Sequence, residues 1–216
     1  MANGGDPRVA AQTVVRALRD RISKLDDDGN GLILCEARSH YAWTDSPVPD
    51  DLLREIYQIT ISGPTSMNTC PARFVFVRSA KVKHRLAKSL KAKNIDKMMA
   101  TLVTAIIAWD PAYWQRLDFL FPHEDRKPLF KGKPDYIHDT AYRNSTLQGA
   151  YFMIAARALR LDVGAMSGFS NAAVDEEFFA KNGWRSNFLC NIGYADESAL
   201  FGKLPRFAFD DICEII

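Results

Sequence analysis

Chemistry in this chain would have to come from four short polar clusters, because the usual catalytic signatures are missing. The first cluster is Arg38, Ser39 and His40. The second is GPTSMNTCP, residues 63–71, whose backbone amides and short side chains (Thr65, Ser66, Asn68) suit something polar. The third pairs Asn94 with Lys97. The fourth joins Ser167 and Gly168 to the basic segment GKLPR, with Lys203 and Arg206. Each has an ordinary reading as well: Arg38 and Lys203 as solvent-facing charges, Asn94 as a cap, residues 63–71 as a turn. The chain has no GxGxxG after its first strand, no Walker loop, no GxSxG and no HExxH. Its histidines (His40, His84, His123 and His138) are widely separated and read as surface or structural groups. An enzyme built this way relies on a cofactor for the chemistry.

The elements that must position these clusters follow from periodicity. Val14, Val15, Leu18, Ile22 and Leu25 fall on one stripe of an amphipathic helix. Asp50 or Asp51 is expected to cap a helix carrying Leu52, Leu53, Ile56 and Ile59. Residues 63–71 then lead into a strand from about Phe74 to Val77. The run KVKHRLAKSLKAK, Lys81 to Lys93, has Val82, Leu86 and Leu90 at helical spacing. It predicts a helix near 80–91 with a solvated basic face, then a helical turn or two around Lys97. Leu102 to Trp109 is apolar almost throughout, as a strand buried on both faces would be. Residues 110–138 scatter Tyr113, Trp114, Phe119, Phe121 and Phe130 among prolines, an irregular excursion of the kind that forms a binding lid. A central helix is expected from about Thr140 to Arg160, with Leu147, Ala150, Tyr151, Ile154 and Ala158 along one face. LDVGAMSGF gives a short strand broken at glycine, VDEEFF a short helix and NFLCNIGY a core strand. Helices and strands mix without regular βαβ alternation, which predicts an α+β fold.

The 216 residues, 47% hydrophobic and 25% charged, are enough for one substantial core. A net charge of +2 gives no ground for a nucleic-acid or membrane partner. Cys35, Cys70, Cys190 and Cys213 have neither CxxC nor metal-ligand spacing, so no metal or disulfide framework is expected, and a cytoplasmic location is. The N-terminus has no signal-peptide core and no span of about 20 apolar residues. One stretch, DDDGNGLILCEA, imitates a calcium loop, with Asp26, Asp28, Asn30, Gly31 and Ile33 in matching positions. The bidentate glutamate such a loop needs is replaced by Ala37, with Glu36 one residue early. A polar linker is therefore expected there.

The order and content of the clusters resemble the FMN-dependent nitroreductase family, most closely its malonic semialdehyde reductase branch of pyrimidine degradation. The likeness runs from about Arg38 to Ile216 through ARSHYAW, GPTSMNTCPARFVF, LVTAIIAWD, LFPH, RNSTLQGAYF, LDVGAMSGF, NFLCNIGYAD and KLPRFAF. Residues 1–33 fall outside it and are expected to form a helical extension to an FMN-binding domain spanning 34–216. The resemblance implies a central, mostly antiparallel sheet flanked by helices, in an intertwined homodimer.

It also implies roles. Arg38, Ser39 and His40 match the segment that binds the FMN phosphate. The family's second basic residue is Tyr41 here, which makes His40 a substitute ligand. Lys203 and Arg206 match the C-terminal basic pair, and such cations neutralise a phosphate dianion. Thr65, Ser66 and Asn68 match a segment that crosses to the partner subunit's flavin; Cys70, Pro71 and Ala72 replace the common glutamine, proline and tryptophan. Asn94 and Lys97 match a pair at the pyrimidine edge, where reduced flavin carries negative charge. Ser167 and Gly168 fall where a backbone N–H approaches flavin N5 and a missing Cβ allows it. The implied reaction is ping-pong: NADH or NADPH reduces FMN, and malonic semialdehyde then accepts the hydride to become 3-hydroxypropionate. No side chain is implied as the catalytic group, and His123 and Arg143 are candidates for the substrate's carboxylate. A broad nitroaromatic or quinone reductase with a permissive aromatic lid is the alternative. A flavin- or calcium-binding protein without turnover is a third reading.

Overall fold

The run expected to be buried on both faces organises the fold. In the computed structural model, which describes residues 6–216, β2 (Val103–Trp109) is buried at every position. It lies inside a four-stranded sheet ordered β1-β2-β4-β3, with β1 at Ala72–Val77, β3 at Asp162–Met166 and β4 at Arg185–Gly193. All three pairings are antiparallel. Successive strand residues point to opposite faces, and this alternation sorts the side chains of β2 between two cores. Val103, Ala105 and Ile107 join Ile56, Phe152 and Ala155 on one side. Ile106 and Ala108 join Leu86, Met98, Val174 and Phe179 on the other.

Contacts divide the chain into Met1–Ala37 and Arg38–Ile216. In the first unit α1 (Pro7–Arg21) starts where the Asp6 carboxylate accepts the Arg8 N–H at 2.9 Å. Its apolar stripe, Val14, Val15 and Leu18, is exposed. The calcium-loop imitation becomes α2 (Asp27–Asn30): Asp26 Oδ1 accepts the Gly29 N–H at 2.7 Å and so serves as a helix cap.

In the second unit α3 (Asp50–Ile61) and α7 (Pro134–Ala158) cover one face of the sheet. Helices α4 (Ala80–Ala87), α5 (Ala92–Ala100) and α8 (Asn171–Phe179) cover the other. Between β2 and α7 lies the short α6 (Leu117–Leu120), and α9 (Phe209–Ile212) stands near the end. Among the described residues no helix is long and apolar enough to cross a membrane.

Several expectations shift. The N-cap of α3 is Pro49, not Asp50 or Asp51; Asp50 sits in the first turn and pairs with Arg78. The turn or two expected around Lys97 is the nine-residue α5, and the helix expected over 80–91 stops at Ala87, because Ser89 and Leu90 leave helical form to pair with Ser170 and Phe169. Its basic face is not wholly solvated, since Lys83 is buried. Helix α7 begins at Pro134, whose fixed φ and missing N–H suit a first turn. Its inward face is Asn144, Gln148, Gly149, Phe152 and Ala155, while Leu147 is exposed. The expected lid is largely core: Tyr113 and Phe130 are buried edge-on with centroids 5.5 Å apart, and Trp114 and Phe121 pack beside them. Phe119 alone of the five aromatic residues singled out there is exposed.

Candidate functional site

The segment from Arg38 onward lies along the start of β3 and the end of β4. Ser39 bridges Val163, the His40 N–H donates to the Val163 carbonyl at 3.0 Å, and Trp43 bridges Ala195. Asp162 ties the segment down with both carboxylate oxygens: Oδ1 lies 3.2 Å from His40 Nε2, and Oδ2 accepts the Ala195 N–H at 2.9 Å. Arg157 donates to the Arg38 carbonyl at 3.3 Å, and burial holds its guanidinium below the ordinary arginine range. His40 is therefore a buried residue turned to Asp162, and its Nδ1 has no hydrogen-bond partner. Arg38 is half-buried and Ser39 exposed.

Helix α5 brings the third cluster to the fourth. Asn94 Nδ2 donates to the Gly168 carbonyl at 3.1 Å, and the Lys91 N–H donates to the same oxygen at 2.9 Å. Gly168 has no room for a side chain: a Cβ there would stand 2.3 Å from Asn94 Nδ2. The far end of α5 would otherwise leave carbonyls unsatisfied in the interior. Asn191 Nδ2 donates to the Lys97 carbonyl at 2.8 Å. Lys83 Nζ donates to the Met99 carbonyl at 3.0 Å and to the Thr101 carbonyl. Burial lowers the Lys83 pKa below the ordinary lysine value. Lys83 was missed as a positioning residue, although its spacing to Leu86 and Leu90, both buried, marked it.

Lys97 itself points its ammonium at the face of Tyr41, with Nζ 4.2 Å from the ring centroid. The same ring receives Phe201 edge-on, with centroids 6.1 Å apart. Tyr41 is thus where three cation-bearing segments meet: its own, following Arg38; α5 with Lys97; and the C-terminal segment that continues to Lys203 and Arg206. Lys203 and Arg206 are exposed, and Arg206 Nη1 donates to the Leu204 and Pro205 carbonyls at 3.1 and 3.0 Å. Ser167 is exposed beside Gly168. Sequence reasoning met Tyr41 only as a departure from a pattern, because Lys97 and Phe201, distant in the chain, meet its ring only in the fold.

Residues 63–71 form a separate, tightly constrained feature anchored on α7. The Ser66 N–H donates to Asn144 Oδ1 at 2.8 Å, the Ala72 N–H to Gln148 Oε1 at 2.9 Å, and Tyr151 Oη to the Pro64 carbonyl at 3.0 Å. Gly63 must be glycine for contact with that tyrosine, since a Cβ would stand 2.2 Å from its ring. Met67, Asn68 and Cys70 have positive φ (49°, 51° and 41°), which places three non-glycine residues in the left-handed region. Thr65 Oγ1 accepts the Cys70 N–H at 3.2 Å, and Asn68 Nδ2 donates to the Leu120 carbonyl at 2.8 Å. His123 is exposed, edge-on to Phe121, and Arg143 is exposed on α7.

Lys97 held at Tyr41, Asn94 packed against Gly168, and basic residues on the segments that lead to and from Tyr41 supply the charge and hydrogen-bonding groups that a phosphate-bearing ligand requires. Known proteins agree in family. Residues 35–194 match the family described as "Nitroreductase family". A "Putative NADH dehydrogenase/NAD(P)H nitroreductase" of Rhodopseudomonas palustris (strain TIE-1) is 48% identical over 194 residues, 90% of this chain and 99% of its own length. A protein of the same description from Burkholderia lata is 50% identical over 194 residues, 90% of this chain and 100% of its own. Among solved structures, a "putative nitroreductase in complex with FMN" from Exiguobacterium sibiricum superposes with a TM-score of 0.77 at 20% identity, covering 89% of this chain and 99% of that one. Half-length matches would leave room for another assignment; agreement over nine tenths of the chain at about half identity does not, and the chain belongs to the nitroreductase family.

Proposed function

We propose that the protein is an FMN-dependent NAD(P)H oxidoreductase that reduces malonic semialdehyde to 3-hydroxypropionate. The observation that carries this reading is the meeting of three basic segments at Tyr41, in a family member whose relatives are named for NAD(P)H and whose fold is shared by an FMN complex. The residues present fit FMN. Arg38, Ser39, Lys203 and Arg206 would hold the phosphate dianion, Asn94 and Lys97 the pyrimidine edge, and Gly168 with Ser167 the approach to the ring. His40, engaged by Asp162, would add charge near the phosphate only when protonated. FMN, once bound, would supply the hydride-transfer chemistry between NADH or NADPH and the aldehyde carbon, with the proton from solvent. The chain's own part is positioning and charge. Lys97 places a cation where negative charge develops, and its helix is fixed at both ends before any ligand arrives. His123 and Arg143 are the candidates for the substrate's carboxylate, and replacing the correct one by alanine should raise KM for malonic semialdehyde.

We also propose that the working unit is a homodimer, in which Thr65, Ser66 and Asn68 face the partner's FMN. The support is the C-terminal arm. Phe201, Leu204, Phe207, Ile212 and Ile215 are 74%, 73%, 77%, 67% and 88% exposed, apolar area that a second copy would cover. The purified protein should be a yellow dimer. Stopped-flow reduction of its flavin by NADH and NADPH, followed by reoxidation with malonic semialdehyde, tests the reaction. A colourless protein that FMN cannot reconstitute would overturn it. The relatives' description favours a second reading, a broad nitroaromatic or quinone reductase; a higher kcat/KM for a nitroaromatic than for malonic semialdehyde would select it.

A further inference from the structure

We infer that Tyr41 is a positioning residue that sets the charge at the FMN site through Lys97, an inference that rests on the flavin reading above. Lys97 Nζ stands 4.2 Å from the Tyr41 ring centroid, within the distance at which a ring face attracts an ammonium. The side chain of Lys97 is long, and without a partner it would sample several rotamers, each placing the charge elsewhere. The ring supplies that partner without adding a second charge, as an acidic residue would, and without accepting a directed hydrogen bond that a ligand must break. The backbone beneath is already fixed, because the Lys97 carbonyl accepts from Asn191. Tyr41 is fixed in turn by the neighbouring His40–Val163 and Trp43–Ala195 pairings and by Phe201 against its edge. The Lys97 side chain thus starts from a fixed backbone and has its ammonium at the Tyr41 ring. A located cation favours the more negative, reduced state of FMN over the oxidised state; a wandering one does so less.

This leads to a comparison of variants by the two-electron potential of bound FMN, with oxidised-FMN affinity measured in parallel by quenching of flavin fluorescence. Tyr41→Leu should lower the affinity for reduced relative to oxidised FMN about two- to fivefold, the scale of a partly exposed cation–π contact. Tyr41→Phe keeps the ring face and should stay at the wild-type ratio. In a Lys97→Met background, Tyr41→Leu should change the ratio no further. The inference is overturned if Tyr41→Leu has the same effect with and without Lys97, if Tyr41→Phe behaves as Tyr41→Leu does, or if neither variant moves the ratio. Those outcomes all occur in protein that binds FMN and leave the flavin reading standing. Wild-type protein that takes up no FMN overturns both together.

Discussion

Helix α5 and the loop at 63–71 both hold polar side chains in place, and they do so by opposite means. In α5 the backbone is ordinary helix, and buried partners satisfy its ends: the Gly168 carbonyl at the start, Asn191 and Lys83 at the finish. The same contacts that position Asn94 and Lys97 also stabilise the protein. In the loop three non-glycine residues sit at positive φ, each at a cost of about 1 kcal/mol. Asn144, Gln148 and Thr65 hold the backbone there by accepting its N–H groups. Geometry is thus gained in α5 together with stability, and in the loop at its expense. Damage to α5 should lower stability and ligand affinity together, whereas relief of the loop should separate them.

The largest effect should come from Lys83→Met. It removes the donor to the buried Thr101 carbonyl and the half-buried Met99 carbonyl, costing about 2–3 kcal/mol on the scale for a buried group left unpaired. The loosened end of α5 should also weaken FMN binding, by roughly tenfold if about 1.4 kcal/mol of positioning is lost. Thermal unfolding and FMN titration read the two effects, and a stable variant with unchanged affinity would break the coupling claimed for α5. The variant should also lose a pH dependence. Burial depresses the Lys83 pKa in the folded chain, so between that lowered value and the ordinary 10.5 the unfolded chain binds more protons. Wild-type stability should therefore gain a contribution as pH rises through that window, and Lys83→Met should not show it.

Asn144→Ala comes next. It leaves the Ser66 N–H without its acceptor and should cost about 1–2 kcal/mol. Because the lost bond holds the loop rather than α5, oxidised FMN in the proposed dimer should lose contacts with residues 65–68, while the reduced-to-oxidised affinity ratio proposed to depend on Lys97 stays put. A shift in that ratio would show that the two regions are not independent.

The contrast also explains what the sequence made visible. Seven consecutive buried residues in β2 leave no polar side to misread, and their apolar run announced a central strand. The inward face of α7 was hidden because Asn144 and Gln148 look like surface residues by type. They are buried to satisfy the N–H groups of Ser66 and Ala72, a demand created by a loop some 76–78 positions away in the chain. Periodicity reports where apolar side chains fall; it carries no record of which backbone groups lack partners. Lys83 shares the buried stripe of Leu86 and Leu90, but its type gave no sign of the Met99 and Thr101 carbonyls that draw it inward. Within the site, the match to a family pattern named Asn94 and Gly168, and the fold puts them in contact. Tyr41 matched nothing, and only the fold brings Lys97 and Phe201, distant in sequence, to its ring.

The smallest effect, and the one that separates the two regions most sharply, is expected from Cys70→Gly. Cys70 has φ 41°, where glycine pays no steric penalty, so the substitution relieves strain in the folded chain. Glycine also gives the unfolded chain more freedom, which offsets part of that gain. Its N–H can still donate to Thr65 Oγ1, while the thiol contact to Asn68 Oδ1, 3.3 Å, is lost. The balance should lie between no change and about 1 kcal/mol of added stability. Asn68 would then be freer to leave its left-handed conformation, and affinity for FMN should fall slightly even as the unfolding temperature holds or rises. No substitution in α5 should produce that combination, because there every contact that positions a side chain also stabilises the helix. If Cys70→Gly lowers stability by more than about 1 kcal/mol, the loop is not storing strain, and its left-handed residues are held by packing as favourable as that around α5.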